Sequence, residues 1–208
     1  MTRLHLIEQI MREVYGGMPT DDASITNSLV NQYINQGIGI AVKQNYKDAI
    51  TMDGIGYVNN SFYTTFKGIA VTQDENFLWK ITLPQVPLGV GKDEGIANLK
   101  LKSSDGMVSI DLLPLSMNQK SYATSMRAIP NRLLYYIEGG EAYILSTLLL
   151  FQYTASVTLM SGGDSTNLSS TLNVPDDYIP TVISYVTQML MAQRKQPKDL
   201  ANDGVDVG

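Results

Sequence analysis

The sequence predicts an α+β fold: an N-terminal helical hairpin and a C-terminal helix packed around a mostly antiparallel β region, with a polar C-terminal tail. Two observations predict it. Apolar residues recur at helical spacing near both chain ends. Between about 54 and 172 the period falls to two, in segments rich in β-branched and aromatic residues. At 208 residues the chain is long enough for one domain with a core of its own. That domain reads as 1–195, with helices at about 3–15, 22–47 and 176–195, and 196–208 as an extended tail.

Leu4, Ile7, Met11, Val14 and Tyr15 form a one-sided helical stripe, which Gly16 and Gly17 end. Thr20, Asp21 and Asp22 can each cap a second helix, running from about Asp22 to Lys47. Ile25, Leu29, Val30, Tyr33, Ile34, Ile38, Ala41, Val42 and Tyr46 give that helix a wide apolar face. Gly37 and Gly39 inside it mark either a kink or a close approach by another backbone.

Strands are expected at 62–71, 77–83, 96–102, 107–113, 133–137, 142–150 and 153–160, with 84–95 and 161–170 as loops. Trp79, Ile81 and Leu83 alternate with Lys80 and Thr82, the pattern of a half-buried strand. The turn SSDG joins the third and fourth strands, and Glu138, Gly139, Gly140 and Glu141 turn a later hairpin. A short helix is expected over 116–127. In the last helix Asp176 and Asp177 occupy the N-cap and first turn, and Pro180 lies where its missing N–H is tolerated. Ile179, Val182, Ile183, Val186, Met189 and Leu190 follow at helical spacing, and Pro197 stops the run.

Composition removes several functions. The chain has no cysteine and one histidine, which excludes thiolate chemistry, Cys-based zinc and iron–sulfur sites, and any two-histidine metal centre. A net charge of −5 argues against a protein whose task is to wrap nucleic acid. Charged residues make up 17%, whereas Asn, Gln, Ser and Thr supply 56 residues. An uncharged polar surface is cheaper to bury against a partner than one rich in Lys and Glu, and this composition suits an assembly subunit. No signal sequence is expected, since charges interrupt the apolar positions of MTRLHLIEQIMREV, and the longest apolar stretch, Ala142–Tyr153, is too short for a membrane span. A mature chain equal to the whole chain, made in a cytoplasm, is the expectation.

No motif carries chemistry. GVGKDEG lacks the spacing and the Ser or Thr of a phosphate loop, and its acids would repel a pyrophosphate. DLANDGVD has Ala201 at a calcium-ligand position. The pairs Asp21/Asp22 and Asp176/Asp177 each precede a helical stripe and read as caps. Glu138 and Glu141 read as solvated charge beside a turn, and His5 as a lone side chain on the first helix. The prediction is a non-enzyme with no catalytic, cofactor-binding or metal site.

Three blocks carry a resemblance: LIEQIMREVYGGMPTDDASITNSLVNQYINQGIGIAVKQNYKDAI, NNSFYTTFKGIAVT, and NVPDDYIPTVISYVTQMLMAQRKQPKDLANDG. Together they cover about half of the chain, and they resemble a ring protein, a head-to-tail connector, of the crAss-like bacteriophages. The resemblance implies a structural virion protein, made in the host bacterial cytoplasm. It would form a ring, expected to be twelvefold, between the portal and the downstream tail components, around a lumen through which genomic DNA passes. It implies no enzyme activity, no cofactor and no membrane association.

A closed ring buries a complementary face on each flank of every subunit. The polar side of the second helix, with Asn27, Asn31 and Asn35 beside Gln32, Gln36 and Gln44, is one such face. The C-terminal end, with Arg194, Lys195, Lys198, Asp199, Asp203 and Asp206, is suited to reach a neighbouring ring or the portal. An acidic lumen would let DNA slide without sticking. A second reading is a β-sandwich binding or adhesion module, carbohydrate- or receptor-binding, that uses Trp79, Phe62, Tyr63 and Phe66 as an exposed aromatic platform.

Overall fold

A computed structural model describes residues 1–17, 25–90, 94–116, 133–146 and 148–195. The helix expected over 116–127 and the tail over 196–208 fall outside the described residues, apart from Ser116. The fold is α+β, as the two periodicities predict.

Helix α1 runs Arg3–Tyr15, capped by the Thr2 hydroxyl, which accepts from the His5 N–H, and closed by Gly16 at φ 69°. Its start is pinned to the segment before the last helix: the Arg3 and Leu4 amides donate to the Ser170 and Leu168 carbonyls. Its buried face is Arg3, Leu6, Ile7, Ile10, Met11 and Val14. Leu4, expected in the stripe, is exposed instead, and Leu6 and Ile10 take the central places.

Helix α2 is Asn27–Asp53, five residues later at its start than expected and six later at its end. Thr26 is its N-cap, accepting from the Leu29 N–H, and Gly54 at φ 71° is its C-cap. Beyond Lys47 the buried Ala49 extends the helix and no breaker intervenes before Gly54. Helix α3, Ile179–Lys195, follows a single 3-10 turn at Asp176–Tyr178. Asp176 and Asp177 lie in that turn, but no side chain caps it. Val182, Val186 and Leu190 are fully buried against α1 and α2. The question posed by Gly37 is answered by close approach: it is buried in α2 against Val182 and Tyr185 of α3.

Among the described residues eight strands form one sheet: β1 Tyr63–Ala70, β2 Thr72–Gln73, β3 Trp79–Thr82, β4 Ile96–Ser103, β5 Ser109–Pro114, β6 Leu133–Glu138, β7 Glu141–Leu145 and β8 Tyr153–Met160. Their order is β1-β8-β4-β5-β6-β7-β3-β2. The two edge strands, β1 and β2, are separated in the chain by Val71 alone, so the sheet curls back on itself and is nearly closed. All pairings are antiparallel except β5 with β6, where Leu112 faces Leu133. The strand expected to reach Leu150 ends at Leu145, and Ser146 begins a turn in which its hydroxyl accepts from the Leu148 N–H.

Two cores result. Inside the curled sheet lie Trp79, Ile81, Leu83, Leu99, Leu101, Leu112, Tyr135, Ile144, Val157 and Leu159. Between the helices lie Leu6, Ile10, Ile34, Ile38, Val182 and Val186, joined by Phe62 from the 3-10 turn Asn60–Phe62 before β1 and by Met160 from β8. Strand β8 therefore serves both, with Leu159 in one core and Met160 in the other. Phe62 and Trp79 are buried and Tyr63 and Phe66 pack against the cores, so these four do not form an exposed aromatic platform.

Candidate functional site

The polar side of α2 meets the loops at 84–88 and 161–165 around a cavity of about 470 Å³. Gln32, Asn35, Gln36 and Gly39 line it from α2, Pro84, Gln85, Val86 and Leu88 from one loop, and Ser161 and Ser165 from the other. The helical period puts 32, 35, 36 and 39 on one face. Pro84 and Pro87 break the strand pattern and keep the first loop irregular.

Behind this wall sits Arg3, a basic residue fully excluded from solvent. Its Nη1 donates to Asn31 Oδ1 and Asn35 Oδ1, each at 2.8 Å. Asn31 passes the connection on, donating from Nδ2 to the Ser165 carbonyl at 3.0 Å. Burial pushes the Arg3 guanidinium down to about 10, against the attraction of Asp164, which raises it. Arg3 therefore remains charged at neutral pH. The Asp164 carboxyl is held below its ordinary range, first by the Thr166 hydroxyl and further by the Thr166 amide and Gln85. Gln85 Nε2 reaches Asp164 Oδ1 at 3.2 Å. Arg3 Nε and Nη2 and the Ser161 hydroxyl have no hydrogen-bond partner among the described residues.

The predicted interface residues separate into three groups. Asn31 and Asn35 are half-buried and committed to Arg3 within the chain, so they brace α1 against α2. Asn27 and Gln32 are exposed. Gln36 is exposed and accepts from the Tyr185 hydroxyl, and Gln44 donates to Asp48. Arg194 and Lys195 form the last residues of α3. Lys198, Asp199, Asp203 and Asp206 lie outside the described residues. The structure brings Asn31 and Asn35 together around a cation that the sequence reading did not single out. The signal was present: Arg3, Ile7, Ile10 and Val14 share the helical spacing of the buried face, so Arg3 occupies a core position.

The described lining residues contribute amides, hydroxyls and apolar groups, and none of their side chains titrates near neutral pH. These groups suit contact with uncharged polar groups such as peptide backbone. Among the described residues no cluster of three His, Asp or Glu side chains could hold a metal ion. No helix among them is long and apolar enough to cross a membrane. His5 is exposed on α1. Compared with known proteins, the chain matches no family model and no curated protein.

Proposed function

We propose that this chain is a structural ring subunit of the portal–tail neck of a crAss-like bacteriophage, joining the portal to downstream tail components and lining part of the DNA channel. The observation that carries the reading is the resemblance of the blocks at 6–50, 59–72 and 173–204. The structure adds a reason for those blocks to occur together. Distant in sequence, they supply α1, α2, α3 and Phe62, the parts that pack into one helical layer. The exposed amides of α2 and the composition, poor in charge, suit burial between copies. The role is non-enzymatic and needs no cofactor.

Native mass spectrometry tests it, first on the purified chain and then with a portal or adjoining ring protein from the same genome. A closed species of about twelve copies in either sample is expected for a ring that closes on one repeated interface. A monomer in both overturns the reading.

A further inference from the structure

One end of the curled sheet gathers exposed apolar side chains. Three connections meet there: the turn between β2 and β3, the turn between β4 and β5, and the segment between β7 and β8. They are tied side by side. The Phe151 ring packs edge-on against Trp79 at 4.7 Å, and the Ser104 N–H donates to the Gln152 carbonyl at 2.8 Å. Ser103 pairs with Tyr153 at the ends of β4 and β8. From this rim Phe77, Met107, Leu149 and Phe151 project with 80%, 88%, 75% and 70% of their surface exposed, beside Val108 and Leu148. Single exposed apolar residues are ordinary, but six on three adjoining loops are not.

Phe77 adds a second observation. It is the only described non-glycine residue with positive φ, at 61°. A bulky side chain is disfavoured there. The turn enforces that conformation: Asp74 Oδ1 accepts from the Asn76 and Leu78 amides at 2.9 and 2.8 Å, and the Phe77 amide donates to the Asp74 carbonyl. The sheet core gains nothing from a ring so exposed, and strain of this kind clusters where a residue is held for contact.

Charge selects the occupant. Acids outnumber bases at the rim: the segments 71–78, 103–109 and 145–153 contain Asp74, Glu75 and Asp105 and no Lys or Arg, while Lys102 reaches in from the end of β4 toward Gly106. Asp105 is held ionised by the Ser103 hydroxyl and the Met107 amide. We propose that this rim docks onto a protein partner whose contact surface is apolar and bordered by Lys and Arg. A second copy meeting rim to rim would bring like charges together, and an anionic bilayer would repel the same acids. The inference stands independently of the ring reading, because it concerns the sheet end and not the helical layer.

The test uses the full chain and a labelled 18-residue amphipathic helix with Leu on one face and Lys on the other. A Leu/Glu helix of the same length and 7:3 phosphatidylcholine/phosphatidylglycerol vesicles serve as the competing probes. Fluorescence anisotropy is expected to show binding of the Leu/Lys helix that M107S/L149S weakens at least tenfold, with the Leu/Glu helix bound at least tenfold more weakly than the Leu/Lys helix. Sedimentation velocity of the chain alone is expected to be unchanged by M107S/L149S. Should that variant lose its circular dichroism, E75Q/D105N tests the charge requirement and is expected to weaken Leu/Lys binding at least threefold. Equal binding by wild type and the folded variants overturns the proposal. So does vesicle flotation abolished by M107S/L149S, which would assign the rim to lipid. A self-association lost in that variant would assign it to a second copy.

Discussion

Gly37 of α2 lies so close to Val182 of α3 that a methyl group on Gly37 would sit 3.1 Å from Val182 Cγ1 and 3.4 Å from its Cα. Two helices approach at this distance only where one of them has no side chain. Alanine would gain about 1 kcal/mol of helix propensity and lose a comparable amount to crowding against a stiff valine. Gly37→Ala is therefore expected to leave stability within about 1 kcal/mol of wild type, and Gly37→Val to cost about 2 kcal/mol or more. Urea denaturation of both variants checks the contrast, and a Gly37→Val protein as stable as wild type would show that the helices do not meet here.

Arg3 is held by amide oxygens and not by a carboxylate, and that sets the order of damage. Asn31→Ala/Asn35→Ala leaves a buried guanidinium with no acceptor and is expected to cost about 3–5 kcal/mol, as when a buried charge loses its partner. Arg3→Met removes the charge itself and leaves two amides that can rearrange, so its cost should be about 1 kcal/mol. Denaturation midpoints rank the two, and the reverse ranking refutes a charged Arg3 in this site.

Across β3 and β7, Lys80 Nζ meets both Glu141 oxygens at 2.8 and 3.0 Å, with the Tyr143 hydroxyl donating to the same carboxylate. The Lys80 bond, and after it that of Tyr143, holds the Glu141 carboxyl below its ordinary 4.5. The same ion-paired bond raises Lys80 above its ordinary 10.5. The contribution from Glu141 is complete above 4.5 and is lost as pH falls through its lowered value. That from Lys80 is complete below 10.5 and is lost as pH rises through its raised value. The stability difference between wild type and Lys80→Met/Glu141→Gln is thus expected to be flat between those limits and to shrink at both ends. Thermal midpoints measured from pH 3 to 11 test this, and a difference that grows on acidification contradicts it.

Phe77→Gly should stabilise the protein, because glycine accepts φ near 61° without the cost of about 1–2 kcal/mol borne by a residue with a Cβ. A gain of about 1 kcal/mol is expected in the denaturation free energy. A loss would mean that the exposed ring packs on its own fold.

Ending the chain after Lys195 should leave the thermal midpoint nearly unchanged, since 196–208 is polar and poor in apolar residues. If the proposed ring role holds, co-assembly with an adjoining ring protein should be lost. A truncated protein that unfolds, or that assembles normally, contradicts the role given to the tail.

Elements whose own residues carry the pattern were legible in the sequence. The register of Trp79, Ile81 and Leu83 is inward as the alternation required, and β8 begins at Tyr153 and ends at Met160 as expected. Elements decided by distant partners were not. The run Ser146–Leu150 continues the apolar composition of β7, yet pairing stops at Leu145, opposite Leu134 of β6, one residue past the Trp79–Ile144 pair at which β3 starts. The parallel β5–β6 pair and the near closure of the sheet depend on strand order, which local periodicity does not encode. On α2, Asn31 and Asn35 have the polarity of a surface. Only the position of Arg3 one turn before Ile7 showed that a polar group had to be satisfied beneath them.

Strand β8 begins beside Phe151 and ends with Met160 among the helices, and it is hydrogen-bonded along its length to β1 on one side and β4 on the other. Eight residues of strand span about 26 Å. A pull applied at the Phe151 end would load two ladders of hydrogen bonds in shear, all at once, and would not peel them one after another. The strand is a stiff tie rod through the molecule. Tension arriving at one end of the molecule is delivered to the contacts between its helices without first unravelling the sheet.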